Sequence, residues 1–182
     1  MGAWAFPAGV FALAVSPAFL AIAKVRRSVA LGYSAVLLAA AVVLLVFHSF
    51  GWRVVENRTS SLPGSFYVYR VGTEAQKGDA VAFLWNGAGQ YPKGATFLKR
   101  VVGVAGDEVR VVGRDVYVGD LLVGSAKTAS KSGMVLEVAG PGAIPEGYVF
   151  VATPHPDSFD SRYALVGNVE EARILGKAYE VF

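Results

Sequence analysis

The chain has no cysteine, so neither disulfide staples nor thiol chemistry is open to it. It has only two histidines, His48 and His155, which removes clustered Cys/His metal sites and leaves few imidazoles to act as a base. Charge is scarce as well, at 17% of residues. That scarcity is local. No charged side chain occurs from Ala3 to Ala23, and from Leu31 to Phe50 only His48 could carry one. An ordinary soluble domain of 182 residues does not show two such runs.

Each run has about the 20 residues that a helix needs to cross a hydrocarbon core of about 30 Å. Two spanning helices are the expectation. The first run could instead be a cleaved signal peptide, but its start, MGAWAFPAGV, lacks the basic residues of such a signal. Pro7 and Pro17 would also kink a helix there. Between the runs lies a short loop, 24–30, holding Lys24, Arg26 and Arg27. Positive charge in short loops stays on the cytoplasmic side. Residues 1–50 therefore read as a membrane anchor of two transmembrane helices with a cytoplasmic loop, and residues 51–182 as a domain outside the membrane. The net charge of +3 is modest, and no run of Lys or Arg stands out beyond that loop, so the bilayer is an expected partner and nucleic acid is not.

After Trp52 the pattern changes to short apolar stretches of period two, broken by Gly, Pro and Asp. FYVYRV, DAVAFLW, TFLKRVVGV, DEVRVVG, DVYVGDLLV, MVLEVAG, YVFVAT and ILGKAYEVF each read as a strand. VVGRDVYV reads as a tight hairpin turning at Gly113 to Asp115. No long amphipathic helical period follows Phe50, although GNVEEARIL could hold one turn. The expectation is a single mostly β domain of about 130 residues.

Serine is a poor nucleophile at neutral pH, so hydrolysis needs a positioned base and donors for an oxyanion. His48 lies within the second apolar run. His155, in TPHPDSFDSRY, sits between prolines and could be a base or simply part of a rigid loop. Lys99 is the other candidate. In TFLKRVVG, alternation places it with Phe97 and Val101 and opposite Leu98 and Arg100, on the face a core would claim. A lysine there must either snorkel out or lose its charge, and a pKa near 7 would require about 4 kcal/mol of unfavourable surroundings. Read alone, the position also fits an ordinary strand lysine with an exposed tip. Gly103, Gly106 and Asp107 read as tight-turn residues, since no G-x-G-x-x-G spacing precedes a helix.

Four stretches in order, SSLPGSFY, KGDAVAF (Lys77 to Phe83), LKRVVGVAGDEV and SFDSRYALVG, cover most of residues 57–167. Together they resemble the signal peptidase I clan (S26) of Ser-Lys serine proteases. The resemblance implies a signal-peptidase-like β domain with Ser61 as nucleophile and Lys99 as general base. It implies that the Thr59 hydroxyl and the Ser61 N–H face the oxyanion, that Ser158 orients the Lys99 amine, and that Asp160 and Arg162 brace their loop as an ion pair. Asn57-x-Thr59-x-Ser61-x-Pro63, followed by Tyr67, resembles the TraF-type conjugal-transfer peptidases that mature pilin subunits. Ser65 departs from that pattern, which has glycine there. The implied substrate is a membrane-bound precursor such as a prepilin, cleaved or cyclised on the periplasmic face of a bacterial inner membrane without metal or cofactor. A general type I signal peptidase and a non-catalytic scaffold of a secretion or conjugation apparatus are the alternatives. Only about ten residues separate the second run from Ser61, at most roughly 35 Å of extended chain.

Overall fold

The computed structural model describes residues 27–182 except 60, 88 and 90. The first apolar run, expected to be a spanning helix, lies outside the described residues. Helix α1 (Arg27–Ser49) takes in the second run and reaches back into the expected loop, since Arg27 to Ala30 are helical. Its stretch Val29–Ser49 has a mean hydropathy of 2.6 and no buried part, the length and composition of a membrane-crossing helix or of a signal sequence. The Ser34 hydroxyl donates back to the Ala30 carbonyl at 2.9 Å, keeping its polarity inside the helix. Residues 51–182 form a separate compact unit.

That unit contains strands β1 (Trp52–Glu56), β2 (Phe66–Arg70), β3 (Ala80–Leu84), β4 (Thr96–Gly103), β5 (Glu108–Val112), β6 (Asp115–Val118), β7 (Leu121–Ser125), β8 (Gly142–Ala143), β9 (Tyr148–Ala152), β10 (Val169–Glu170) and β11 (Ile174–Glu180). Seven of them make one sheet in the order β1-β2-β11-β3-β4-β9-β10, and β7-β6-β5-β8 make a smaller one. The pairings are antiparallel, so alternate residues of each strand face opposite sides. Val81, Val101 and Val151 belong to a core that also takes Phe83, Trp85 and Val149. Their neighbours Ala82 and Leu98 join Leu62, Tyr67 and Ala178 in another. A third cluster, including Val109, Val116, Ile144 and Phe150, ties the smaller sheet to β9. Each fully buried side chain of this kind is worth about 1.5–3 kcal/mol.

β4 is the central positioning element. Lys99 pairs with Val81 of β3, while Arg100 pairs with Ala80 on one side and Ala152 of β9 on the other. β11 threads between β2 and β3 with a bulge between Ile174 and Gly176. Only glycine fits at 176, because its φ is +157° and a Cβ there would lie 1.9 Å from the Arg70 carbonyl oxygen.

The strand expectations need correction at several points. MVLEVAG forms no strand, only the bridges Ala129–Val135 and Val138–Tyr163. Its backbone is satisfied otherwise: the Leu136 N–H donates to Thr128, and the Leu136 carbonyl accepts Arg114 Nη2 at 2.8 Å. DVYVGDLLV is two strands, β6 and β7, divided at Gly119 with φ +58°. WRVVE, directly after the apolar run, was not expected as a strand and forms β1. The turn in GNVEEARIL appears as a 3₁₀ turn at Glu171–Arg173.

Candidate active site

Ser61 lies in the loop of residues 57–65 that joins β1 to β2, whose last pair is Glu56 with Phe66. Several interactions shape this loop. The Asn57 N–H donates to the Ser65 carbonyl at 2.8 Å, and Asn57 Nδ2 donates to the Leu62 and Gly64 carbonyls, each at 2.9 Å. The Tyr67 hydroxyl donates to the Pro63 carbonyl, and Leu62 is buried in the core beneath. The Ser65 and Phe66 N–H groups both donate to the Phe182 carbonyl, at 2.7 and 2.9 Å. Ser65 stands where the TraF-like pattern has glycine, yet no residue other than glycine has a positive φ among the described residues. The serine is therefore accommodated without backbone strain.

Lys99 projects from β4 beside Phe97 and Val101, the face its alternation indicated. Its Nζ is 3.0 Å from Ser61 Oγ and 5.9 Å from the centre of the Phe97 ring. The lysine is 5% exposed and the serine 7%. Burial pushes the amine from the usual lysine value down to about 8; the Asp160 charge opposes this shift, and Arg162 adds to it. Thr59 Oγ1 lies 2.7 Å from Ser61 Oγ and also donates to Asn57 Oδ1 at 3.3 Å. Asn57, Thr59, Ser61 and Lys99 thus form one connected set of polar groups.

The segment after β9 flanks this set. Arg162 meets Asp160 through Nε at 2.8 Å and Nη2 at 2.9 Å, and Asp160 also accepts the Thr153 and Arg162 N–H groups, each at 3.2 Å. Arg162 Nη2 further reaches the His155 carbonyl at 3.0 Å. Asp160 and Arg162 are both 1% exposed, so they are a buried pair. Ser158 is brought into this region, but its buried Oγ makes no hydrogen bond among the described residues, nor does Thr153 Oγ1. The Ser158–Lys99 bond implied by the resemblance is therefore not formed in this structure. His155 Nδ1 accepts the Asp157 N–H at 3.1 Å, which uses that ring atom within its own loop. His48 falls in the last turn of α1.

The parts played by Asn57 and Thr153 are not legible in the sequence. Asn57 opens the TraF-like pattern, but an asparagine before a turn is ordinary loop chemistry, and nothing local shows that it reaches both Leu62 and Gly64. Thr153 follows a strand of apolar residues and reads as its polar end. No cluster of three His, Cys, Asp or Glu side chains that could hold a metal occurs among the described residues.

The family described as "Signal peptidase, peptidase S26" matches residues 25–182. A protein of Sinorhizobium fredii (strain NBRC 101917 / NGR234) described as a probable conjugal transfer protein TraF is 34% identical over 134 residues, covering 71% of this chain and 69% of the relative. A crystal structure of a signal peptidase I from Enterococcus faecalis V583 covers 58% of this chain and 97% of its own, at 21% identity and a TM-score of 0.38. That superposition is too weak to add weight. The match over residues 25–182 and the identity to the TraF relative suffice: the chain belongs to the signal peptidase S26 family, which makes it a serine peptidase of the signal peptidase kind, with a TraF-like relative.

Proposed function

We propose that the protein is a membrane-anchored serine endopeptidase with Ser61 as nucleophile and Lys99 as general base. Its substrate is a membrane-bound precursor, a conjugative pilin subunit that it matures by cleavage or cyclisation. The observation that carries this reading is the buried Lys99 amine 3.0 Å from Ser61 Oγ. Lysine acts as a base only when neutral. With a pKa of about 8, roughly a tenth of the amine is neutral at pH 7.

Neutral Lys99 takes the Ser61 proton as Oγ attacks the scissile carbonyl carbon, and the resulting oxyanion is met by the Ser61 N–H and the Thr59 hydroxyl. The C–N bond then breaks, and the leaving amine receives the proton from Lys99. An ester to Ser61 remains. Water attacks that ester in hydrolysis, or an amine of the substrate attacks it in cyclisation, and Ser61 is restored. Ser158, whose buried hydroxyl is unused, is suited to orient the amine during these steps. Asp160 and Arg162 hold its loop in shape.

The precursor would lie extended along a strand edge and borrow main-chain hydrogen bonds. The conjugal-transfer description of the relative supports a pilin substrate. Helix α1 supports an inner-membrane anchor, and the basic residues at 24–27 support an extracytoplasmic position for residues 51–182.

The test is to incubate full-length protein in detergent with candidate pilin precursors and map the products by mass spectrometry. A processed pilin that disappears with Ser61→Ala and with Lys99→Ala is the expected result, and intact precursor in the wild-type reaction overturns the reading. The family description favours a general signal peptidase as the second reading. Rescue of bulk secretion in cells depleted of their housekeeping signal peptidase would select it. A scaffold role would require Ser61→Ala to keep full function.

A further inference from the structure

Asn57 uses its whole amide inside the loop that carries Ser61. Nδ2 donates to the Leu62 and Gly64 carbonyls, both at 2.9 Å, while Oδ1 accepts the Thr59 N–H at 3.4 Å and the Thr59 hydroxyl at 3.3 Å. The Thr59 hydroxyl has a single proton. Two oxygens compete for it, Asn57 Oδ1 at 3.3 Å and Ser61 Oγ at 2.7 Å.

The choice has a chemical consequence. With the Thr59 proton on Asn57, the Ser61 hydroxyl donates to Thr59 and its proton points away from Lys99. With the Thr59 proton turned to Ser61, the Ser61 proton is free to meet the Lys99 amine. A bond of 3.3 Å to a neutral acceptor is long and therefore weak, so the Thr59 proton leaves Asn57 at small cost. A concerted rotation of the Thr59 and Ser61 hydroxyls interconverts the two arrangements.

We propose that Asn57 is a positioning residue that acts through Thr59. It fixes Thr59 beside Ser61 and gives the Thr59 proton a resting acceptor, from which it turns first to Ser61 Oγ and then, as the attack proceeds, to the substrate oxyanion. This inference rests on the reading of Ser61 and Lys99 as nucleophile and base. If Asn57 served only to brace the loop through Leu62 and Gly64, its loss would cost the same with or without the Thr59 hydroxyl.

A double-mutant cycle separates the two roles. The full chain in detergent micelles is assayed with an alanine-ended peptide thiobenzyl ester as acyl donor. Thr59→Val should lower kcat about 10²-fold, the usual cost of one oxyanion donor, and Thr59→Ser should keep most of it. Asn57→Leu alone should cost about tenfold, and added to Thr59→Val it should cost less than about twofold more. An equal loss from Asn57→Leu in both backgrounds overturns the proposal. If Asn57→Leu does not fold, Asn57→Ala carries the same comparison. Ester hydrolysis that Ser61→Ala leaves undiminished would instead remove the nucleophile reading itself, so the two failures are distinguishable.

Discussion

Lys99 and Arg162 are both cations withdrawn from water, at 5% and 1% exposure, and their surroundings treat the charge in opposite ways. Arg162 is given a two-point contact with Asp160 and the His155 carbonyl besides. Burial alone would pull its pKa down, but the bonds and charge of Asp160 outweigh burial and hold it above the usual arginine value. Lys99 is given one hydroxyl and an aromatic wall, and there burial wins. Asp160 attracts the Lys99 charge and Arg162 repels it, so Arg162 offsets part of the pull that Asp160 exerts on the amine. A charge retained for structure receives acceptors, whereas an amine meant to give up its proton is denied a carboxylate of its own.

Lys99→Met tests the first half of this contrast most severely. In the proposed mechanism it removes the base, and precursor processing should fall by at least about 10⁴-fold. Stability should move the other way, rising by up to about 3 kcal/mol at pH 7 in urea unfolding, because the fold no longer has to depress a lysine pKa. The sign follows from the amine having a pKa of 10.5 unfolded and about 8 folded. The penalty is fully present below about 8 and relieved as the pH rises towards 10.5, so the stability gap between variant and wild type should close across that window. A gap that is constant with pH would mean that Lys99 is not desolvated as described.

Arg162→Met tests the second half. It leaves the Asp160 carboxylate buried without its cation and should destabilise the protein by about 3–5 kcal/mol. It should also move activity. Wild-type kcat/KM is expected to rise through about pH 8 and level off above it. Without Arg162, Asp160 acts on Lys99 unopposed and the midpoint should shift upward. An unchanged midpoint in a folded variant would break the link between the two cations.

The two halves of this comparison were not equally legible in the sequence. The face of Lys99 could be read because TFLKRVVG alternates without interruption, and a period of two leaves no ambiguity about which residues share a side. The segment SFDSRY has no such periodicity. By composition Asp160 and Arg162 pass for a surface pair, and only the resemblance marked them; their burial depends on contacts outside the segment, with Thr153 at the end of β9 and with Gly124 far away in the chain. MVLEVAG misled for a related reason. It alternates well enough for a strand, but Arg114 and Thr128 meet its backbone groups before a neighbouring strand can. β1 was missed because WRVVE abuts the apolar helix, where hydrophobic content no longer discriminates. The hydrogen bonds of Asn57 and the unused hydroxyl of Ser158 depend on loop conformation, which residue type alone does not specify.

Gly124→Ala disturbs the arginine without removing its charge. Gly124 has φ +139°, and a Cβ there would stand 2.7 Å from Arg162 Nη1. Backbone strain and displacement of the guanidinium should together cost about 1–3 kcal/mol. Because the charge remains, the activity midpoint should shift by less than in Arg162→Met. A shift as large as that of Arg162→Met would show that the geometry of the pair, more than its net charge, controls the amine.

The smallest expected effect comes from Thr153→Val. Thr153 stands one step beyond the Ala152–Arg100 pair, which brings it level with Lys99 across the β4–β9 ladder. Its N–H donates to Asp160 while its hydroxyl, buried, bonds to nothing among the described residues. Valine keeps the shape and the backbone bond and removes only the unsatisfied oxygen. Since a buried unpaired hydroxyl is a net cost, the variant should be more stable by up to about 1 kcal/mol in urea unfolding, with the midpoint of the pH–rate profile unchanged. If the midpoint moves instead, the Thr153 hydroxyl belongs with the groups that tune the amine, and Lys99 is less deprived of polar partners than its contrast with Arg162 requires.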